Sequence, residues 1–370
     1  MIAALCDVRR LRRAAGVLAV AGGVLGCASG TSGAEPGSGA HRAAPSAREA
    51  ASSVPEITLS AVGDMILGDT PSLPAEPKHY LDPVKQAINA GAQIRFANLE
   101  GTLTTQATDK CAPRSTQCFS FRNPPHYARL FAADGFTILN NANNHFNDFG
   151  QPGRAQTVKA IRHAGMAQTG QPGQVAIVPA GGHKVAFVGF APYDYDASLL
   201  DLGAAKALIR KARNEARVVV VYMHAGAEGS TMTHVTGNEE FAFGEDRGNP
   251  EKFAHMAIRN GASLVIASGP HVLRGMQFYR GHLIAYSLGN FANFHNFGGG
   301  GILSESAILH VTLSSAGRFV AGRLQSVTLD SAGRASLGGS SVGTVRSLSK
   351  ADFGSHAARL SHAGVIRKPA

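Results

Sequence analysis

The sequence predicts an α/β fold in one large domain, and three observations predict it. Short runs of β-branched and apolar residues alternate with segments whose apolar residues recur at helical spacing. One run, RVVVVYM (residues 217–223), is apolar throughout after its first residue, so it belongs at the centre of a sheet covered on both faces. Several candidate strands end in a carboxylate, an amide or an imidazole, which is where α/β sheets bind ligands.

The elements follow in order. EITLSAVGD (56–64) is a β-branched strand closed by Gly-Asp, and 82–90 is a short amphipathic helix. Residues 94–98 form the next strand, ending in Asn98-Leu99-Glu100. A helix covers about 124–132, and 136–140 is a strand that runs into NNANNHFNDFG. Residues 156–163 lie in another helix. Residues 175–178 and 185–190 read as paired strands, followed by a helix at 204–213. RVVVVYM ends at His224, 251–259 is helical, and 262–267 is a strand that runs into Ser-Gly-Pro-His. Residues 276–279 and 283–287, separated by Arg280-Gly281-His282, carry a hairpin signal. Strands at 307–313 and 319–328 complete the sheet. The domain is placed at 55–330. Residues 331–370, rich in Ser and Gly with scattered basic residues, are expected to be a loosely ordered tail.

Ahead of the domain, residues 1–27 have a basic start and an apolar stretch at 14–26, too short to span a bilayer and suited to a secretion signal. The stretch ends in VLGC, a lipobox-like sequence with Cys27 as the lipidated residue, although Leu25 is larger than that box prefers. Ordinary signal cleavage or an uncleaved anchor are the alternatives. Residues 28–54, rich in Ser, Gly, Ala and Pro, read as a flexible tether. The expected location is the cell envelope, on the exported side of the membrane.

Charge narrows the partners. The net charge is +10. Arg9, Arg10, Arg12 and Arg13 against Asp7 place +3 of it in the leader. The body has no basic run interleaved with aromatics, so nucleic acid is not expected. Cys6 lies in the leader and Cys27 in the lipobox, leaving Cys111 and Cys118. Their spacing across a Pro suits a disulfide-closed loop in an oxidising compartment, with a free thiol pair as the alternative.

Asp64, Glu100, Asn144, His224 and His271 are the candidate metal ligands, and His145 with Asn144 the candidate catalytic pair. Each has a plainer reading alone: Gly-Asp closes turns, Asn tolerates left-handed turns, and a strand-end His is often structural. Their recurrence at strand ends is what those readings leave unexplained. One Asp, one Glu, two His and an Asn form an oxygen–nitrogen set suited to Mn, Zn or Fe. Asn140, Asn141 and Asn143 are expected to hold the turn or to orient the ligands. His234 and His295 are candidate rim groups.

Five motifs, AVGDMILG, ANLEGTLT, NANNHFNDFG, YMHAGAE and GPHVLRGMQFYRGHLIAYSLGNF, span 61–291. In that order they resemble the CapA proteins of bacterial capsule and poly-γ-glutamate assembly, a branch of the calcineurin-like metallophosphoesterases. The resemblance implies a four-layer α/β/β/α sandwich with one or two divalent ions at the strand ends. It implies Asp64 as the first metal aspartate, Glu100 as the bridging acid, Asn144 as the amide ligand, His145 as general acid, and His224 and His271 as imidazole ligands. Asn98, Asn143, Glu228 and Asn290 are then substrate-binding or ligand-orienting residues. The sequence departs twice from the pattern: Ile66 stands where a histidine is usual, and Gly269 where many relatives carry another. The departures point to one ion, weak metal binding or a non-phosphate substrate, with Glu228 as a replacement ligand. The implied role is a metal-dependent hydrolase acting on, or beside the synthase or exporter of, an anionic capsule polymer. A non-catalytic polymer-binding component with a degenerate site, or a general metallophosphoesterase, are the alternatives.

Overall fold

The structure, a computed structural model, describes residues 56–111, 118–295 and 300–369. The expected signal peptide (1–27), with Cys27, and the expected tether (28–54) lie outside the described residues.

The chain runs β1 (Glu56–Ile66), α1 (Asp82–Asn89), β2 (Ile94–Leu99), β3 (Thr102–Leu103), β4 (Arg122–Asn123), α2 (Tyr127–Asp134), β5 (Ile138–Asn140), α3 (Gly150–His163), β6 (Ala167–Thr169), β7 (Ala176–Ala180) and β8 (His183–Phe190). It continues through α4 (Leu202–Glu215), β9 (Val218–His224), β10 (Phe241–Ala242), β11 (Glu245–Asp246), α5 (Pro250–Arg259), β12 (Leu264–Ser268), β13 (Met276–Tyr279), β14 (His282–Ala285) and β15 (Asn290–Asn293). The last elements are β16 (Glu305–Ser314), β17 (Phe319–Leu329), β18 (Ala335–Leu337), α6 (Ser341–Phe353), β19 (Arg359–Leu360) and β20 (Val365–Arg367).

Two sheets carry the fold. The first is ordered β19-β20-β17-β16-β1-β2-β5-β6, with β15 beside the end of β1 and β18 beside β17. The second is ordered β13-β14-β12-β9-β8-β7. Strand periodicity explains how they stack. In β9, Val218, Val220 and Tyr222 join a core filled from both sheets, while Val219, Val221 and Met223 join one that includes α4 and α5. The outer face of the first sheet is likewise covered by α1, α2 and α3, through Val84, Ile88, Phe131 and Ile161. The result is the four-layer α/β/β/α sandwich. Between the sheets, the Phe96 ring lies 5.9 Å from Phe187 and 5.4 Å from Tyr222. Such rings bury large apolar areas and interlock the layers.

Helix starts follow local chemistry. Asp201 Oδ1 accepts from the Gly203 and Ala204 amides at the head of α4, and Asn249 caps α5 just ahead of Pro250. The third helix starts at Gly150, six residues before the expected 156, because Pro152 falls within its first turn, where a missing N–H costs nothing.

One expectation is corrected. Residues 331–369 are not a loose tail. β18, β19 and β20 extend the first sheet, and α6 buries Val342, Val345, Leu348 and Phe353. Composition misleads here because the serines are structural. Ser341 Oγ donates to the Val327 carbonyl at 3.2 Å, and Ser349 Oγ accepts from the Met276 amide at 2.8 Å.

Candidate functional site

The site lies where the parallel strands of the two sheets end. Register aligns the polar positions: Asn290, Asp64, Asn98, Asn140 and Thr169 stand in one row across β15, β1, β2, β5 and β6. In the second sheet Ser268 pairs with His224. The close approach at this edge demands glycine. A Cβ on Gly63 would stand 1.9 Å from the Gly289 carbonyl oxygen, which accepts from the Asp64 amide at 3.0 Å.

The amides of the third motif hold Asp64 through a relay. Asn98 Nδ2 donates to Asp64 Oδ1 at 2.7 Å. Asn98 Oδ1 in turn accepts from Asn140 Nδ2 at 2.7 Å and Asn143 Nδ2 at 3.0 Å. Asn143 also donates to the Leu99 carbonyl and accepts from the His145 amide. Ser268 Oγ donates to Asp64 from the facing sheet. Asn141, by contrast, finds no side-chain hydrogen-bond partner among the described residues.

Asp64, Glu100 and His271 converge: each offers a ligand atom, and these atoms lie within 4.8 Å of one another. Glu100 Oε1 is 3.7 Å from His224 Nε2 and 3.6 Å from His271 Nε2. His271 Nδ1 lies 2.9 Å from Asn290 Oδ1, a contact that orients the ring with Nε2 toward Glu100. His271 adopts φ 60°, a left-handed conformation unusual for a residue with a Cβ.

Electrostatics shows what the group needs. Both Glu100 oxygens are buried with no hydrogen-bond partner among the described residues, as are His224 Nε2 and the Asn144 side-chain oxygen. Burial, then the Asp64 and Glu228 carboxylates, raises Glu100 well above its usual range. Burial also raises Asp64, against His271, Ser268 and Asn98. Burial, then His271, holds His224 well below 6.5, so it stays neutral and ligand-competent. Buried carboxylates beside the neutral His224 imidazole call for a cation. The residues present fit a divalent ion.

Glu228 is differently placed. Its Oε1 takes an ion pair from Arg247 Nη1 at 2.6 Å and accepts from Asn144 Nδ2 at 3.4 Å, while its Oε2 lies 3.7 Å from His271 Nε2. Arg247 already balances this carboxylate. The buried guanidinium also pairs with Glu245 at 3.1 Å.

His145 stands on the wall of an adjoining cleft of about 630 Å³, shared with Asn144, Glu228, Arg247, His271 and Lys110. Its Nδ1 lies 2.9 Å from Asp148 Oδ2, and its ring packs 4.3 Å from Phe121. Asp148 is held in turn by Lys110 Nζ at 2.7 Å and by the Phe121 amide at 2.7 Å. Cys111 and Cys118 form a disulfide, tying together the two ends of the loop that Lys110 and Phe121 flank. His295 lines the cleft. His234 does not, because it pairs with Asp352 at 2.6 Å.

Thus Asp64, Glu100 and His271 come together with His224, Asn98, Asn143 and Asn290, and Asn144, His145 and Glu228 border them. Sequence reasoning missed Asp148, Ser268, Arg247 and Lys110. Asp148 was within reach, three residues after His145 in one turn, and Ser268 ends an apolar strand as His224 does. Arg247 and Lys110 come from irregular loops with no periodic signal.

The family model described as "Bacterial capsule synthesis protein PGA_cap" matches residues 58–295. The "PGA biosynthesis protein CapA" of Bacillus subtilis (strain 168) is 25% identical over 259 residues, covering 64% of this chain and 63% of that protein. The "Capsule biosynthesis protein CapA" of Bacillus anthracis is 30% identical over 179 residues, covering 42% of this chain and 40% of that protein. This chain therefore spans less than two thirds of either relative's length. Among solved structures, a 5'-nucleotidase precursor from Thermus thermophilus is similar at a TM-score of 0.41 and 12% identity, over 76% of this chain and 54% of that one.

Proposed function

The chain belongs to the bacterial capsule synthesis protein family, and on that premise we propose that it is a metal-dependent hydrolase working on an anionic capsule polymer outside the cell membrane. Export through the leader and anchoring through Cys27 belong to the same proposal, as do poly-γ-glutamate as the polymer and its synthase or exporter as the partner. Among the described residues no helix is long and apolar enough to cross a membrane, so a lipid at Cys27 is the attachment the proposal uses.

The observation that carries the reading is Glu100, a fully buried carboxylate with neither oxygen hydrogen-bonded among the described residues, set between two imidazoles and beside Asp64. Asp64, Glu100, His224 and His271 would hold one divalent ion, Mn, Zn or Fe, with Asn144 Oδ1 as the amide ligand. Arg247 neutralises Glu228, which favours a single ion and gives Glu228 a role in positioning Asn144.

A bound ion supplies Lewis-acid polarisation of the scissile carbonyl or phosphoryl oxygen. The chain's residues do the rest. Asp148 accepts from His145 Nδ1–H, so Nε2 is the nitrogen that exchanges a proton with the leaving group in the cleft. Asn98 and Ser268 fix Asp64, and Asn290 fixes His271. Lys110 and Arg247 line the cleft, where each holds a carboxylate in place, Asp148 and Glu228 respectively.

Metal analysis of the purified protein is the test. A near-stoichiometric ion, lost in His224→Ala, supports the reading. Metal-free protein that hydrolyses neither a model phosphodiester nor polyglutamate sinks it. Ile66 and Gly269, standing where histidines are usual, favour a non-catalytic polymer-binding component as the second reading, and that last result would leave it standing. Hydrolysis of the phosphodiester alone would point to a general phosphoesterase.

A further inference from the structure

The C-terminal segment builds a second cleft, lined by none of the strand-end residues. Strand β17, the start of α6 and the turn between β19 and β20 enclose about 430 Å³. Arg323, Gln325, Ser326, Ser340, Arg346 and His362 supply its polar lining, and no carboxylate lines it. Its acidic neighbour is Glu305, whose Oε1 already accepts from the Ser340 hydroxyl at 2.6 Å.

The cleft is rich in donors. Arg346 Nη1 lies 3.2 Å from His362 Nδ1. A guanidinium only donates, so His362 accepts at Nδ1 and keeps its proton on Nε2 as a further donor. Ser326 Oγ accepts from the Val342 amide at 3.1 Å, which leaves its hydroxyl proton to give. Next to the cleft, β19 and β20 set the exposed Arg359 directly opposite the exposed Arg367. Like charges in that position repel. Among the described residues none of Arg323, Arg346, Arg359 and Arg367 pairs with a carboxylate.

We propose that this cleft and the adjoining arginine pair bind a linear polyanion, a chain carrying carboxylate or phosphate groups at regular intervals. Four arginines and a histidine without acidic partners are complementary to repeated negative charge. Arg323 and Arg359 lie two strands apart, on the order of 10 Å, which is about three residues of an extended chain. The recess favours a strand of polymer over a flat bilayer, whose headgroups would meet the rim first. The proposal stands on this cluster and does not depend on hydrolysis at the strand ends.

The test uses the full chain and a fluorescent γ-linked oligoglutamate, with oligophosphate as the second polyanion, and reads anisotropy across a salt series. Binding should weaken with salt. It should fall roughly tenfold or more in Arg323→Gln/Arg346→Gln, and also in the exposed pair Arg359→Gln/Arg367→Gln, where unfolding is not a concern. An equal loss of charge on α4, Lys206→Gln/Arg210→Gln, should leave binding at the parent's level, which separates this cluster from general charge attraction. Loss with oligoglutamate but not oligophosphate, or the reverse, assigns the acidic group. Unchanged affinity in both double variants overturns the proposal. So does anionic-vesicle binding that these variants abolish while oligomer binding persists, which would make the cluster a membrane contact.

Discussion

Asn98→Leu tests the amide relay that holds Asp64. The replacement keeps the branched side-chain shape, with methyl groups in place of the amide oxygen and nitrogen, so no cavity opens and the lost hydrogen bonds set the minimum cost. Three bonds are lost: Asn98 to Asp64 at 2.7 Å, Asn140 to Asn98 at 2.7 Å and Asn143 to Asn98 at 3.0 Å. Asn140 keeps the Ala142 carbonyl and Asn143 the Leu99 carbonyl, so neither amide is orphaned. Asp64 keeps Ser268. At about 1 kcal/mol for each neutral bond and rather more for the one to a carboxylate, the loss is about 3–4 kcal/mol. That corresponds to a fall of roughly 5–10 °C in thermal midpoint. Metal affinity should fall about 10- to 100-fold, because a ligand loses the partner that orients it. Asn141→Leu is the matched control: the same residue type, equally buried, with no side-chain partner among the described residues, so it should be neutral or stabilising. Urea denaturation and metal titration of both variants give the answer. If Asn98→Leu keeps the parent's midpoint and metal affinity, or if the two variants behave alike, the relay does not support the site.

Three further outcomes are expected. Asp148→Asn and His145→Ala should lower hydrolysis of a model phosphodiester or oligoglutamate by about 10²-fold or more with little change in KM; a turnover equal to the parent's would remove both from the mechanism. Replacing Cys111 and Cys118 by Ser should cost about 2.5 kcal/mol through the freed loop, and should reduce hydrolysis by releasing Lys110 and Phe121 from Asp148; intact activity with lowered stability would confine the disulfide to folding. His310, on β16, is held below 6.5 by burial and then by Arg323, against a hydrogen bond that it donates to Gln325. The unfolded chain therefore binds a proton that the folded chain refuses, so this contribution to stability is full above about pH 6.5 and is lost as the pH falls toward the folded pKa. His310→Gln should flatten the stability profile between about pH 7 and 5, and an unaltered slope would show that His310 does not titrate on unfolding.

The legible part of this protein was the part written in short-range pattern. Most strands of the two central layers could be located because a buried strand needs an uninterrupted apolar run, as in β9, or a β-branched run closed by a turn, as in β1, whereas the short β6 and β15 carry neither signal. Polar strand ends were legible for the same reason, since Asp64, Asn98, Asn143, His224 and His271 interrupt apolar stretches that have no local use for them. The C-terminal segment was misread because its apolar residues are diluted by serine and glycine. Only packing shows that Ser341 and Ser349 bond backbone groups of neighbouring strands.

By itself, then, the sequence determined the layered α/β class, the strand ends as the place for chemistry, and the residue types gathered there. The tertiary structure decided which of those residues meet. It placed Glu100 between two imidazoles from the opposite sheet, gave Glu228 to Arg247, and gave His145 to Asp148 and a disulfide-closed loop. It also gathered arginines from β17, α6, β19 and β20 around a cleft with no acid in its lining. The physical reason is range. Periodicity and turn chemistry act within a few residues of chain, whereas charge pairing and ligand geometry depend on register between strands and on the stacking of two sheets, and both are set only when the core closes.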